Sequence, residues 1–239
     1  MTGDGIERPA SEPPPRGASM PVAVVALAVL FGTSIWFSIN AVAADLATAL
    51  GATTADIGRL TGAVQLGFIV GTLALSLSGL ADRYRASRIV AVSAVLGACF
   101  NAATTIDGGG LAGVAALRFA VGLCIAGIYP LGMKLIVSWS PARAGASLSL
   151  LIGMLILGTA LPHGVRFVGA AWSWQPVVLC SSALALVAAG LMLALGDGPH
   201  LPSAGRRPEG GPAARLRVFR IPRFRASALG YFGHMWELY

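Results

Sequence analysis

The residues of this chain best placed to carry chemistry are ionisable side chains inside long apolar segments. Arg118 lies within "LRFAVGLCIAGIYPLGMK", about eight residues, or about 12 Å, from the predicted outer end of its helix. An arginine near mid-membrane costs about 2.5 to 3.5 kcal/mol on insertion scales, so it requires a polar cavity or a partner. Two interpretations stay open: a cavity arginine with a functional role, or a structural arginine that donates to backbone carbonyls.

A second group of such side chains lies near the end of the sequence. Tyr231, His234 and Glu237 follow a three-residue spacing, so they share one face of a helix. Counted from Ala226, Glu237 lies about 17 Å deep, close to the depth of Arg118. We therefore hypothesise that Arg118 and Glu237 face one cavity, where one binds substrate charge and the other carries a proton or balances the arginine.

Other polar residues of the apolar segments are weaker candidates. His163, beside Pro162, lies about 29 Å along its helix, near the outer boundary, where a plain hydrogen-bonded histidine is favoured over proton transfer. For the remaining polar side chains, interfacial or interhelical packing competes with a role in a cavity. They are Trp36, Asn40, Gln65, Asn101 and Tyr129.

These residues must be positioned by membrane helices. A spanning helix needs about 20 mostly apolar residues, and six stretches qualify. They are Pro21 to Ala44, Leu60 to Leu80, Ile89 to Ile106, Leu111 to Val137, Ala144 to Val168 and Pro176 to Leu195. The 56% hydrophobic and 11% charged content excludes a soluble protein. The sequence predicts an all-α membrane protein with six transmembrane helices and the start of a seventh.

Basic residues collect in alternate connections between these segments. The richest cluster follows the sixth segment, and it consists of Arg206, Arg207, Arg215, Arg217, Arg220, Arg223 and Arg225. The positive-inside rule places these connections and the amino terminus in the cytoplasm, in a multi-pass protein of the plasma (cytoplasmic) membrane. Anionic lipid headgroups account for the +7 net charge, so no nucleic-acid partner is predicted.

The chain divides into four predicted regions. Residues 1–19 are a disordered cytoplasmic tail, and 20–195 are a six-helix bundle. Residues 196–225, rich in Gly, Pro and Arg, are a cytoplasmic linker, and 226–239 are the truncated start of a seventh helix. Fourteen helical residues extend about 21 Å, less than the membrane thickness, so we expect a fragment. The alternative is a stub that lies flat as an interfacial anchor.

Small residues predict where helices approach closely. Gly67 and Gly71 form a GxxxG pair in the second segment, and Gly122 and Gly127 belong to a small face in the fourth. Pro130 removes a bond from the helical ladder, which favours a kink beside a cavity. Inverted repeats are common in transporters, and Gly71-Thr72 and Gly158-Thr159 occupy similar settings in the second and fifth segments.

The sequence resembles the major facilitator superfamily. The resemblance rests on "SGLADRYRASR" between the second and third segments and on five residues of the fourth: Arg118, Phe119, Gly122, Gly127 and Pro130. It implies half of a twelve-helix fold, built from 3+3 inverted repeats. It also implies a cytoplasmic gate at Asp82, Arg83 and Arg88, and a role of the fourth-helix arginine in cavity function or proton coupling. Ser78 stands where the family motif expects a glycine, and Arg85, Ala86 and Ser87 replace its later glycine and paired basic residues, so the charge network departs from the family pattern. Two interpretations of Asp82 stay open: a gating residue, or a helix cap at a cytoplasmic turn.

The resulting prediction is a secondary transporter, not an enzyme, that moves a small solute by alternating access with proton coupling or exchange. The solute is anionic, or neutral with proton coupling, and the missing carboxy-terminal half is the implied partner. No P-loop appears, and no cofactor or metal site is predicted. The alternatives are a non-transporting six-helix scaffold and an intramembrane hydrolase, for which no GxSxG motif or carboxylate pair is present. We expect that the chain does not transport alone.

Overall fold

The described residues of this computed structural model are 19–106, 109–201 and 217–238. They form helices and turns and contain no β-strand. The helices are α1 (Ser19–Thr33), α2 (Ala43–Leu50), α3 (Thr54–Ser78), α4 (Leu80–Arg83), α5 (Ala86–Ala103), α6 (Gly110–Trp139), α7 (Ala144–Val168), α8 (Trp174–Leu195) and α9 (Pro222–Leu238). The predicted tail, apart from Ser19, lies outside the described residues.

Five helices of the described part are long and apolar enough to cross a membrane. They are α3, α5, α6, α8 and the segment Pro141–Val168 that contains α7. The protein is therefore an integral, multi-pass membrane protein, and the expected all-α membrane fold is confirmed. The predicted second span begins six residues earlier than expected, at Thr54, because Thr53 and Asp56 form a capping box that starts the helix among polar residues.

The first predicted span, Pro21 to Ala44, is not one continuous helix. Helix α1 ends at Thr33, and regular structure resumes only with the 3-10 turn Asn40–Val42 that leads into α2. At 15 residues α1 extends about 22 Å, so it needs α2 to complete a crossing. We call the non-helical residues Ser34–Ile39 the break.

Hydroxyl groups around the break donate hydrogen bonds to backbone carbonyls and partly replace the backbone hydrogen bonds of a helix. Thr33 Oγ1 donates to Val29 O at 2.8 Å, and Ser34 Oγ donates to Phe31 O at 2.7 Å. The backbone N–H of Trp36 bonds to Thr33 O, three residues back, instead of four. Such back-bonding by Ser and Thr bends helices, so the local sequence favours an interruption at this point.

The helices pack in a pattern that repeats between the two halves of the bundle. The first span contacts α6, α7 and α8, α6 also contacts α3 and α5, and α5 contacts α8. Exchanging spans one to three with spans four to six maps these six contacts onto themselves, as 3+3 repeats require, whereas the contacts of α7 with α6 and α8 have no counterpart of similar extent between α3 and α1 or α5. The glycines obey the same relation: Gly71 of α3 lies against Leu123 and Ala126 of α6, and Gly158 of α7 lies against Leu30 and Thr33 of α1.

Helices α3 and α6 approach each other through glycines. A methyl group at Gly67 would overlap the backbone carbonyl of Phe119, and one at Gly122 would overlap that of Val64. Gly127 faces Ser93 of α5 in a similarly close contact. Close backbone approach of this kind is how membrane helices gain packing energy. Helix α6 continues through Pro130, which lies inside it.

The start of the predicted linker belongs to the folded bundle. Asp197 Oδ1 accepts from the backbone N–H of Ser87 at 2.8 Å, at the first turn of α5. The backbone N–H and the Nδ1 of His200 both lie within bonding distance of Ser138 O, at 3.3 and 3.1 Å. Residues 202–216 lie outside the described part. Helix α9 begins at Pro222, four residues before the predicted start at 226.

Candidate functional site

Arg118 of α6 is fully buried, and its guanidinium bonds the carbonyls of the break. Its Nη1 donates to Ile35 O at 3.1 Å, and its Nη2 donates to Trp36 O. Because the break has lost the helical ladder, these carbonyls need donors from elsewhere in the bundle. Arg118 therefore holds the interruption of the first span in place.

Asn101 of α5 connects this arginine to the break and to α8. Its Oδ1 accepts from Arg118 Nη1 at 3.0 Å and from Ser38 Oγ at 2.6 Å. Its Nδ2 donates to Val178 O at 3.1 Å and to Ser182 Oγ at 2.9 Å, both on α8. Asn101 is completely buried and all of its side-chain atoms are paired, so it fixes the break, α5, α6 and α8 relative to one another.

Several buried polar atoms around the break have no partner in the described part of the chain. They are Arg118 Nε, Trp36 Nε1 and Asn40 Oδ1. An unsatisfied buried polar group costs about 1 to 3 kcal/mol, so three in one region require an explanation. Among the described residues, no carboxylate lies within ion-pair distance of Arg118.

One face of α3 adjoins the break. Asn40 Nδ2 donates to Thr61 Oγ1 at 2.9 Å, and the Trp36 ring packs against the Phe68 ring with 4.8 Å between centroids. Gln65 lies between these contacts on the same face, since residues 61, 65 and 68 are one helical turn apart. Gln65 is half-buried and makes no hydrogen bond to a described residue.

The predicted cytoplasmic gate contains an ion pair between two partly exposed side chains. Asp82 Oδ1 and Lys134 Nζ are 2.9 Å apart, and Lys134 also donates to Ala81 O at 2.9 Å. Arg83 lies over the ring of Tyr84, and Arg88 is exposed. The partner of Asp82 is thus a lysine of the fourth span, and neither Arg83 nor Arg88 bonds to Asp82.

The family model of the Major Facilitator Superfamily matches residues 24–237, which is most of the chain. The chain belongs to this superfamily. Members of the superfamily are transporters of small solutes that are embedded in membranes, so the protein is a transporter in this general sense. A comparison with curated proteins finds no match.

The other predicted site residues that the structure describes do not contact Arg118. His163 is exposed near the end of α7, and Tyr129 is half-buried against the hydrophobic core. Tyr231 of α9 is 61% exposed, and no described hydrogen bond joins it to Arg118. The side chains of His234 and Glu237 lie outside the described residues, so the pairing of Glu237 with Arg118 stays a prediction.

Sequence reasoning missed the roles of three residues. By sequence Asn101 is one of several weak cavity candidates, yet it is the centre of the polar network. Lys134 and Asp197 were not singled out as partners of Asp82 and of the third span. A lysine inside an apolar span and an Asp between two glycines, "GDG", were the available signals.

Proposed function

We propose that this chain is the amino-terminal half of a secondary transporter that moves a small solute by alternating access, coupled to protons or to exchange. The observation that carries the proposal is the break in the first span, which places non-helical backbone inside the membrane. Interrupted helices are tolerated there only where they are buried in protein or line a cavity, and transporters use them for binding.

Gln65 supports a solute path beside the break. It is residue 12 of the 25 in α3, counting from Thr54, so it lies in the middle of the membrane. An amide facing hydrocarbon without a hydrogen bond costs several kcal/mol. A half-buried and unpaired glutamine at this depth is therefore expected to face a polar cavity, with Asn40 and Trp36 on the opposite wall.

The degree of burial distinguishes side chains that line the proposed path from those that support it. In a six-span half, side chains that face a second half lie at the surface of the bundle. Gln65 and Asn40 are partly exposed and are proposed to line the solute path, whereas Arg118 is enclosed and positions the break. The proposal includes Glu237 as the residue that carries a proton during transport or balances the charge of Arg118.

The Asp82–Lys134 pair is proposed to stabilise the state that is closed toward the cytoplasm. Both side chains are substantially exposed, so the pair adds little to overall stability. A weak pair between two spans is suited to a contact that forms and breaks in each transport cycle. The amino terminus and this gate are both assigned to the cytoplasmic side by the arginines around them.

The proposal is tested by solute uptake into proteoliposomes that contain the full-length protein, with an imposed pH gradient. The panel includes monocarboxylates, inorganic oxyanions, amides and sugars. For the solute that accumulates, Gln65→Leu should raise KM by about tenfold through loss of one or two hydrogen bonds. Gln175→Leu, at the outer end of α8, is the matched control and should leave KM unchanged.

Two results would contradict the proposal. The first is a folded, full-length protein that accumulates no solute of the panel with or without a pH gradient, which would favour the scaffold. The second is an equal change in KM for Gln65→Leu and Gln175→Leu. That result would contradict a solute path beside α3.

A further inference from the structure

An ion pair joins the end of the first span to the end of the fifth. Arg166 Nη2, in the last turn of α7, lies 2.6 Å from Asp45 Oδ2, in the first turn of α2. Arg166 Nη1 also donates to Trp172 O at 2.7 Å, in the turn between α7 and α8. One guanidinium therefore connects α2 to the fifth span and to the turn that follows it. We call this Asp45–Arg166 pair the outer clasp, since the arginine pattern places its face outside the cytoplasm.

The repeat relation of the bundle maps the outer clasp onto the cytoplasmic pair. Exchanging spans one to three with spans four to six turns a pair between spans one and five into a pair between spans four and two. The Asp82–Lys134 pair is of this kind, since Asp82 follows the second span and Lys134 belongs to the fourth. Asp45 stands five residues before Leu50, at the end of the first span, and Lys134 stands equally far from the end of the fourth. Three crossings separate these two ends, so the pairs lie at opposite faces.

The helices that bring the second charge to each pair share an order of features. In α3, Gly71 packs on α6, the helix ends at Gly79 with a left-handed φ of 71°, and the aspartate of the cytoplasmic pair follows. In α7, Gly158 packs on α1, Pro162 lies inside the helix, and the arginine of the outer clasp follows. A proline removes one bond of the helical ladder and allows bending. Each pair therefore lies beyond a joint, with the acidic and basic side chains exchanged between the two.

The outer end of α7 is weakly packed within the bundle. Phe167 and Val168 are 85% and 83% exposed, and His163 is exposed as well. Val165 packs against the buried apolar cluster that includes Leu46 of α2. Exposed apolar side chains meet lipid or the second half and do not hold α7 to the first span. The outer clasp supplies a directional contact between this end of α7 and α2.

We propose that the outer clasp holds the transporter closed toward the outside and breaks when the solute path opens to that face. This inference rests on the proposed transport by alternating access, in which the cytoplasmic pair has the same role at the other face. Each pair joins one repeat to the other, so it breaks when the repeats move apart at that face. Both pairs are formed in this structure, so the two faces close independently and opening toward one face breaks only its own pair. Both side chains of the outer clasp are partly exposed, so the pair is weak enough to form and break in each cycle.

The test measures the distance between the two elements that the outer clasp joins. Spin labels are attached at Ala49→Cys and Ala170→Cys, both at exposed positions, in the full-length and otherwise cysteine-free protein in nanodiscs. Double electron–electron resonance then gives their distance distribution. Asp45→Ala and Arg166→Met should each raise the ratio of long to short distances by about twofold to fivefold, the factor that a partly exposed pair contributes. The double variant should equal Arg166→Met, because both changes remove the same interaction.

Arg59→Met is the matched control for the arginine substitution. Arg59 lies 2.7 Å from Asp56 in an ion pair near the start of α3, at the same face of the bundle. Because that pair lies within one helix, its loss should leave the distance distribution unchanged. Asp45→Ala keeps the bond between Arg166 and Trp172, so it tests the inference even if Arg166→Met does not fold.

The outcomes separate failure of the outer clasp from failure of the transport function. Unchanged distances in the folded Asp45→Ala protein overturn the inference, and so does a double variant whose effect is the sum of the two single ones. An equal change in Arg59→Met also overturns it. If proteoliposomes take up a solute while the distances stay unchanged, the inference fails and the transport function stands. If both single variants lengthen the distances without addition while no solute is taken up, the outer clasp stands and the transport function fails.

Discussion

Arg118 uses part of its guanidinium to hold the break and leaves the Nε donor without a partner among the described residues. Its two Nη atoms make the backbone bonds that a structural arginine requires, at Ile35 and Trp36. Its Nε and its charge remain unused within the described residues. The two interpretations of Arg118 are therefore not exclusive, because the structural bonds of its Nη atoms leave Nε and the charge available.

Asn101 is the residue on which this arrangement depends most. Asn101→Ala removes four hydrogen bonds and leaves Arg118 Nη1, Ser38 and Ser182 each with one bond fewer. Since a bond to a buried charged group contributes about 1.5 to 3 kcal/mol, we expect a loss of about 3 kcal/mol in the free energy of unfolding. The measurement is unfolding by SDS in mixed micelles.

Asn40→Ala is the matched control for this substitution. Asn40 makes a single side-chain hydrogen bond, to Thr61, so its removal should cost about 1 kcal/mol. Equal losses for the two variants would show that Asn101 does not organise the site. A loss of transport in Asn40→Ala without a loss of stability would instead agree with the proposed place of Asn40 on the solute path.

At this scale the sequence predicted which residues are unusual but not what they contact. The depth of Arg118 could be counted along its helix, and its need for a partner followed from the cost of its charge. The identity of the partners required knowledge of which carbonyls the fold leaves unpaired. Asn101 looked like one of several amides, because its four partners lie on three other segments of the chain.

Among the elements, the first span departs most from expectation. Its apolar composition predicted one helix from Pro21 to Ala44, and hydropathy does not register an interruption. Thr33, Ser34 and Ser38 were the local signals, since their hydroxyls bond nearby carbonyls. Those signals are weak alone, and the break is stable because Arg118 of another helix supplies the missing donors.

Helix α3 offers a test of how glycines fix the bundle. Gly67→Ala places a methyl group on the backbone carbonyl of Phe119, and backbone cannot move aside as a side chain can. Overpacking of this kind costs about 1 to 3 kcal/mol, which exceeds the gain of up to about 1 kcal/mol in helix propensity. We therefore expect a destabilised protein, measured as a lower midpoint of thermal unfolding in detergent.

Gly62→Ala is the control on the same helix. No atom lies within 4 Å of the added methyl group, so only the helix propensity changes and the midpoint should stay equal or rise. A lower midpoint for Gly62→Ala than for Gly67→Ala would contradict the packing described for α3 and α6. The GxxxG spacing predicted that the Gly67 face packs closely, but it could not identify α6 as the partner helix.

For the whole molecule, the sequence predicted the class of fold, an all-α membrane protein, and five of its six predicted spans coincide with helices long enough to cross a membrane. Segment length and composition were sufficient for this, because a bilayer accepts few architectures. The repeat relation between the halves was visible only as the similar settings of Gly71 and Gly158, and the packing of each against the opposite half gives it a physical basis. Where α9 lies relative to the bundle could not be predicted, since the described side chains of this helix, up to residue 233, are mostly exposed.

The orientation of the molecule in the membrane is a prediction that the two ends of α7 test directly. Ala142 lies beside Arg143 at one end, and Ala170 lies in the turn after the other end. The alternating arginines place the Ala142 end in the cytoplasm, because translocation of clustered positive charge is disfavoured.

In a variant without Cys99, Cys124 and Cys180, a single cysteine at position 170 should react with an impermeant maleimide in intact cells. A single cysteine at position 142 should react only after permeabilisation, and the cysteine-free parent should stay unlabelled in both conditions. The reverse labelling pattern would show that the molecule has the opposite orientation in the membrane. The Asp82–Lys134 pair would then lie on the outer face and could not be part of a cytoplasmic gate.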